Sequence, residues 1–167
     1  VPILGPISKI VTFRTYENQT NHFEAKVDVP EIESAPTEIN QSIEEYANAL
    51  ISQYESDLHS SQGEGNYSLT SSYQVVTDTT NYLCLRIDTT LVMASGTEYT
   101  KVFTIDKRTG KIISLSDLFR NKPEMLTAIS ENIKEQMQAQ MAADSSVTYF
   151  YNSDTPEWDF KELRGDE

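Results

Sequence analysis

The sequence holds one cysteine, one tryptophan and two histidines in 167 residues, with six glycines and six prolines. Each shortage excludes something. Cys84 alone leaves no disulfide framework and no thiolate metal site. It sits in an alternating apolar run, which reads as an inert buried thiol. His22 falls on the polar alternation of a strand. His59 falls where a helix ends, a place the dipole favours for a partly charged side chain. Both read as surface residues, not catalytic bases. No stretch approaches the ~18 apolar residues that a membrane span needs. No cleavable signal is visible, but the chain opens on Val1 without a methionine. A processed or trimmed chain is expected, with any anchor upstream.

Catalytic patterns are also missing. No G-x-S-x-G, no H-E-x-x-H and no zinc spacing occurs. DKRTGK, residues 106–111, lacks the upstream glycine of a phosphate-binding loop, and Ile112 stands where a hydroxyl is needed. GEGN, residues 63–66, is too short and acidic to cradle phosphate. Glu157 and Asp159 flank Trp158, but carboxylates two apart on an irregular tail read as solvated. No enzymatic activity, metal or cofactor is expected. Basic residues are scarce as well: 13 against 26 acidic ones, a net charge of −13. Such a chain repels phosphate backbones, which argues against nucleic acid or an anionic bilayer as main partner. It attracts a basic protein, fastest at low salt. Plain solubility is the alternative reading of the same charge.

What is present describes a folded domain. Hydrophobic residues make up 38% and aromatics 10%, and the length suits one domain with a real core. Asn18, Asn40 and Asn66 each begin an N-x-[ST] pattern, which carries weight only in a glycosylating source. Residues 1–13, VPILGPISKIVTF, read as a hydrophobic lead-in. KIVTFRTYE and HFEAKVDV read as a strand hairpin turning at NQTN, with Phe23, Ala25, Val27 and Val29 on one face. Ile39, Ile43, Tyr46, Ala47, Leu50, Ile51, Tyr54 and Leu58 then recur at three and four, one wide apolar face on a helix of about six turns. Ser34 or Thr37 is placed to cap it, with Pro30 and Pro36 fixing its start.

YSLTSSYQVVTDT, YLCLRIDTTLVM and YTKVFTID predict a three-stranded meander with a glycine-containing connection at 94–98. KRTG turns the chain, KIISL is a short strand, and Ser114 or Ser116 caps a helical turn with Asp117 favoured inside it. Lys107, Arg108 and Lys111 at this corner are expected in solvent. A second long helix follows Pro123, with a stripe of Met125, Leu126, Ile129, Ile133, Met137 and Met141. TYFY, residues 148–151, reads as strand-like. The whole is an α+β fold: an antiparallel meander sheet with two long amphipathic helices packed on one face.

FTIDKRTGKIISLSDLF followed by ISENIKEQM resembles a domain of unknown function shared by Gram-positive surface proteins. These include the extracellular part of lysozyme-sensing anti-sigma-V factors. VPILGPISKIVTF is similar to their juxtamembrane segment, and VDVPEIE, SYQVVTDTTNYLCLRIDTT and NIKEQMQAQMAAD also fit, so the resemblance covers most of residues 1–151. It implies a juxtamembrane-like lead-in over 1–13 and a single receptor-like domain over 14–167. It implies an ectodomain on the extracellular face of a cell membrane, joined to an upstream span. In that family the cytoplasmic part holds an extracytoplasmic-function sigma factor inactive. C-type lysozyme binds outside, signal peptidase and an intramembrane protease cut, and the sigma factor is released to drive lysozyme resistance. The resemblance further implies a lysozyme-contacting loop at Met93, Ala94, Ser95, Gly96, Thr97, Glu98 and Tyr99, with Ser95 matching a small polar contact residue, and inhibition of the bound lysozyme. Family members continue past the position of Arg164 with strands and a second contact loop, for which this chain has no counterpart. Some membrane-anchored peptidoglycan deacetylases carry a similar domain, so a non-catalytic wall-binding accessory domain is the alternative.

Overall fold

The computed structural model describes residues 9–62, 64–93, 96–120, 122, 124–152, 154, 159–161 and 163. The chain divides into two compact units, residues 1–112 and 113–167. The first contains strands β1 (Ile10–Thr20) and β2 (Phe23–Ile32), helix α1 (Thr37–Ser60), and strands β3 (Tyr67–Asp78), β4 (Tyr82–Val92), β5 (Gly96–Asp106) and β6 (Lys111–Ile112). The strands form one sheet in the order β1-β2-β3-β4-β5-β6. Four of its neighbouring pairs are antiparallel.

The fold is α+β, as expected, but the sheet is not a pure meander. β2 and β3 run parallel, from Phe23 opposite Tyr67 to Val27 opposite Ser71. Parallel neighbours need a crossover of a dozen residues or more. The 24-residue helix α1 provides it. β1 starts at Ile10, so part of the segment read as a lead-in is strand; residues 1–8 lie outside the described residues. The first hairpin turns at Asn21 and His22, at the very end of NQTN, and Asn21 takes a left-handed φ of 54°, which asparagine tolerates. β1 bulges at Phe13, between Thr12 opposite Pro30 and Arg14 opposite Val29. Pro30 has no N–H for the ladder, and a bulge is where a sheet accommodates that.

Helix α1 lies on one face of this sheet. Ile39 and Ile43 join Ile32, Leu83, Leu85, Ile87, Phe103 and Ile105 in one buried cluster. Ala47, Ile51 and Tyr54 join Phe23, Val27, Tyr67 and Leu69 in a second. The period of three and four in the sequence is thus the packed stripe. Neither Ser34 nor Thr37 caps the helix: Pro36 holds the N-cap position and makes no side-chain cap. Asn40 anchors the start instead. Its carboxamide accepts from the Ile32 amide at 2.9 Å and donates to the Ile32 carbonyl at 3.0 Å, fastening α1 to the end of β2. Farther along, the buried Tyr54 hydroxyl donates to Asn18 Oδ1 at 2.9 Å. Burial and then a hydrogen bond to Glu55 push the Tyr16 phenol up to about 12.

The corner after β5 corrects one expectation. Arg108 and Lys111 are exposed, but Lys107 is wholly buried. Its ammonium pairs with Asp78 at the end of β3, and its backbone amide donates to the Asn81 carbonyl at 2.8 Å. The corner folds inward over the β3–β4 turn, which removes Lys107 from solvent. Asp106 shapes the turn by accepting from the amides of Arg108 and Thr109, and Gly110 completes it with a φ of 65°.

The second unit contains α2 (Leu115–Leu118) and α3 (Glu124–Ala143). Ser114, not Ser116, is the α2 cap. It forms a reciprocal capping box with Asp117. The Ser114 amide, then Arg120 and the Ser114 hydroxyl, hold the Asp117 carboxyl down at about 2. A depressed carboxylate adds stability above the unfolded pKa near ~3.9. That contribution fades as pH falls toward about 2. An NMR titration of Asp117 should therefore show its midpoint near 2, with the α2 amide signals changing in step. A midpoint near the ordinary carboxylate value would contradict the capping box.

The α3 stripe is half-buried, and the buried side chain of α3 is Ser130. Its hydroxyl donates to the Leu126 carbonyl at 2.9 Å and accepts from the Leu163 amide at 3.0 Å. The aromatic segment read as a strand is irregular at 147–150. It bonds to α3 instead of joining a ladder: the Tyr149 amide donates to Met141 Sδ and the Tyr149 hydroxyl to Gln140 Oε1.

Candidate functional site

Register places three connections at one end of the first unit. Phe23 stands opposite Tyr67, Ser68 opposite Val92, and Val92 opposite Gly96. The β1–β2 turn, the start of β3 and the β4–β5 hairpin are therefore neighbours. The DKRTGK corner lies at the other end of β5, roughly 33 Å away at ~3.3 Å per residue.

The expected contact segment divides on this frame. Met93 is 54% exposed at the hairpin tip, while Ala94 and Ser95 lie outside the described residues. Gly96 already pairs with Val92, so the connection is 93–95 and shorter than expected. A Cβ on Gly96 would meet open space, so nothing in the unit requires glycine there. Thr97, Glu98 and Tyr99 are exposed strand residues. Strand alternation carries Thr97 and Tyr99 to the face of buried Phe103 and Ile105, the face that α1 covers, and Glu98 to the other.

Two clefts flank the hairpin. One, of about 270 Å³, is polar. Asn21, His22 and Glu24 come to it from the first hairpin, Asn66 from just before β3, and Val92 and Met93 from the end of β4 and the hairpin tip beyond it. The other, of about 290 Å³, is apolar. Tyr46 and Leu50 of α1 form one wall and Leu69, Leu91 and Tyr99 the opposite one. Tyr67 belongs to both clefts. Its ring stacks on Phe23 at 5.9 Å and meets Tyr54 edge-on at 5.3 Å. Burial, then a hydrogen bond to Asp57, pushes its phenol up to about 12.

Among the described residues, no lysine or arginine lines either cleft. Glu24 lines the first and accepts from Ser68. Asp57 binds Tyr67 and accepts from Gln53, both liners of the second. The linings of these two clefts include carboxylate, carboxamide and aromatic groups; nearby, Lys101, two residues from Tyr99 on the same strand face, holds its ammonium 5.8 Å from the centre of the Phe103 ring. Among the described residues, no group of three His, Cys, Asp or Glu could hold a metal ion. No helix among them is long and apolar enough to cross a membrane. The sequence pointed to the hairpin but not to its surroundings. Asn21, His22 and Asn66 join it only through the parallel β2–β3 pair, which no local pattern announces. Tyr46 and Leu50 read simply as core.

No family model matches the chain. Among curated proteins, the anti-sigma-V factor RsiV of Bacillus subtilis (strain 168) is 29% identical over 161 residues, which is 94% of this chain and 56% of that protein. The chain thus spans little more than half the length of that relative. Solved structures of DUF3298 family proteins from Pseudomonas aeruginosa PAO1 and Bacteroides fragilis NCTC 9343 align at TM-scores of 0.47 and 0.48. Each is 15% identical; they cover 77% and 89% of this chain, and 68% and 72% of their own.

Proposed function

We propose, from the likeness to an anti-sigma-V factor along nearly the whole chain, that this is the extracellular sensor domain of an anti-sigma factor. Its ligand is a C-type lysozyme. Binding exposes the full-length protein to signal peptidase and an intramembrane protease, and a sigma factor is released. The chain is a receptor and regulator rather than an enzyme, and it reaches the membrane through an upstream span. The observation that carries this reading is the 29% identity over 94% of the chain. The net charge of −13 supports it independently, because it suits a basic ligand.

The β4–β5 hairpin end, Met93 to Tyr99, is the contact surface in this reading. Ser95 and Thr97 offer hydroxyls, and Met93 and Tyr99 offer apolar area. Ser95→Arg tests it against hen lysozyme. The substitution should weaken binding, and relieve inhibition of muramidase activity, without lowering the melting temperature. Equal affinity in the variant would remove the loop from the surface.

A further inference from the structure

The core face of the sheet is not fully covered at the hairpin end. Phe103 and Ile105 are buried beneath α1, yet Tyr99, on the same face of the same strand, is 50% exposed. It pairs with Thr89, which is buried. Between the α1 side chains Tyr46 and Leu50 and the strand side chains Leu69, Leu91 and Tyr99 lies the apolar slot of about 290 Å³. We infer that this slot is an anchor pocket for one bulky apolar side chain of a basic protein partner. The inference rests on the lysozyme reading and specifies where, beyond the hairpin, such a partner is held.

Charge selects the occupant. A second copy of this chain would bring another −13 against the first, and like charge opposes that association. An anionic lipid surface is opposed by the same term. A basic protein is attracted instead by the net charge of −13; close to the slot, Asp57 bonds to Tyr67 and Gln53, while the Lys101 ammonium is drawn over the Phe103 ring. A carboxylate next to an apolar pocket fits an apolar side chain that has a Lys or Arg for a neighbour. The slot has room for an aromatic or leucine-sized group, and such buried anchors dominate interface energies.

The test is a calorimetric titration of hen C-type lysozyme into the wild-type chain and three variants. Tyr99→Ala removes one wall at an exposed position, and it should raise Kd roughly 30-fold, the size of an aromatic hot-spot loss. Tyr99→Phe should bind like wild type, because the ring and not the hydroxyl forms the wall. Leu50→Trp fills the slot from within and should raise Kd at least about tenfold in a chain that still melts cooperatively. If wild type binds and both Tyr99→Ala and Leu50→Trp bind equally well, the slot is overturned and the lysozyme reading stands. If wild type does not bind, both fall together. If Leu50→Trp does not fold, Gln53→Trp takes its place, because Gln53 is an exposed slot liner outside the hairpin; wild-type affinity in that variant overturns the slot.

Discussion

Asp78→Ala should lower the unfolding free energy of this protein by about 3–5 kcal/mol, while Lys107→Met should cost far less or even stabilise. The asymmetry follows from burial. Lys107 is wholly buried and its ammonium pairs with Asp78. Removing the carboxylate takes an anionic partner away from a buried ammonium. Removing the charge itself leaves only a partly exposed carboxylate, which water can solvate. Methionine keeps the length and the apolar stem of lysine. Urea unfolding reads the difference as a shift in midpoint at constant slope. Equal losses in the two variants would mean that the pair acts through packing rather than charge. The same pair ties the end of β3 to the corner after β5, so hydrogen exchange should accelerate around Asn81 and Lys107 in Asp78→Ala.

Ile43→Asp should abolish folding of the first unit at neutral pH. Ile43 has no exposed surface and sits where α1 meets β4 and β5. Its side chain contributes about 1.5–3 kcal/mol through burial alone. A carboxylate in the same place adds several kcal/mol of desolvation. Together these approach the whole net stability of a domain, about 5–15 kcal/mol. Ile43→Val, which removes one methyl group, should cost only about 0.5–1.5 kcal/mol. Circular dichroism should show the loss of cooperative melting in Ile43→Asp alone. Ile133→Asp is the informative contrast: Ile133 is only half-buried, so a cooperative transition should survive there. Native-like melting of Ile43→Asp would contradict the packing of α1 on the sheet.

Several patterns set by chemistry within a few residues are legible in the sequence, although the TYFY strand and the α1 cap are not among them. The α1 stripe, the Phe23-to-Val29 alternation, the β3–β5 hairpins and the Ser114–Asp117 cap all follow from periods and short-range chemistry within a few residues. The parallel β2–β3 pair does not, because it joins strands separated by a whole helix. Nothing in YSLTSSYQ distinguishes a strand beside β2 from one elsewhere in the sheet. Lys107 was misread for a related reason. Its burial depends on Asp78, 29 positions earlier, and a KR pair in a turn looks solvated when read alone. Ser34 and Thr37 fit the cap pattern, but Pro36 took the N-cap position and Asn40 took over the anchoring. At the candidate site, the hairpin was legible through family resemblance, whereas its neighbouring turn and the slot under Tyr99 depend on long-range register.

Lysozyme recognition, as proposed, falls to the acidic, apolar-notched end of the first unit. Calorimetric titration of hen C-type lysozyme into the chain, at low and at high salt, tests it most directly. Saturable one-to-one binding is expected at low salt, weakening as salt rises because the steering charges are screened. No heat and no inhibition of muramidase activity at low salt would contradict it.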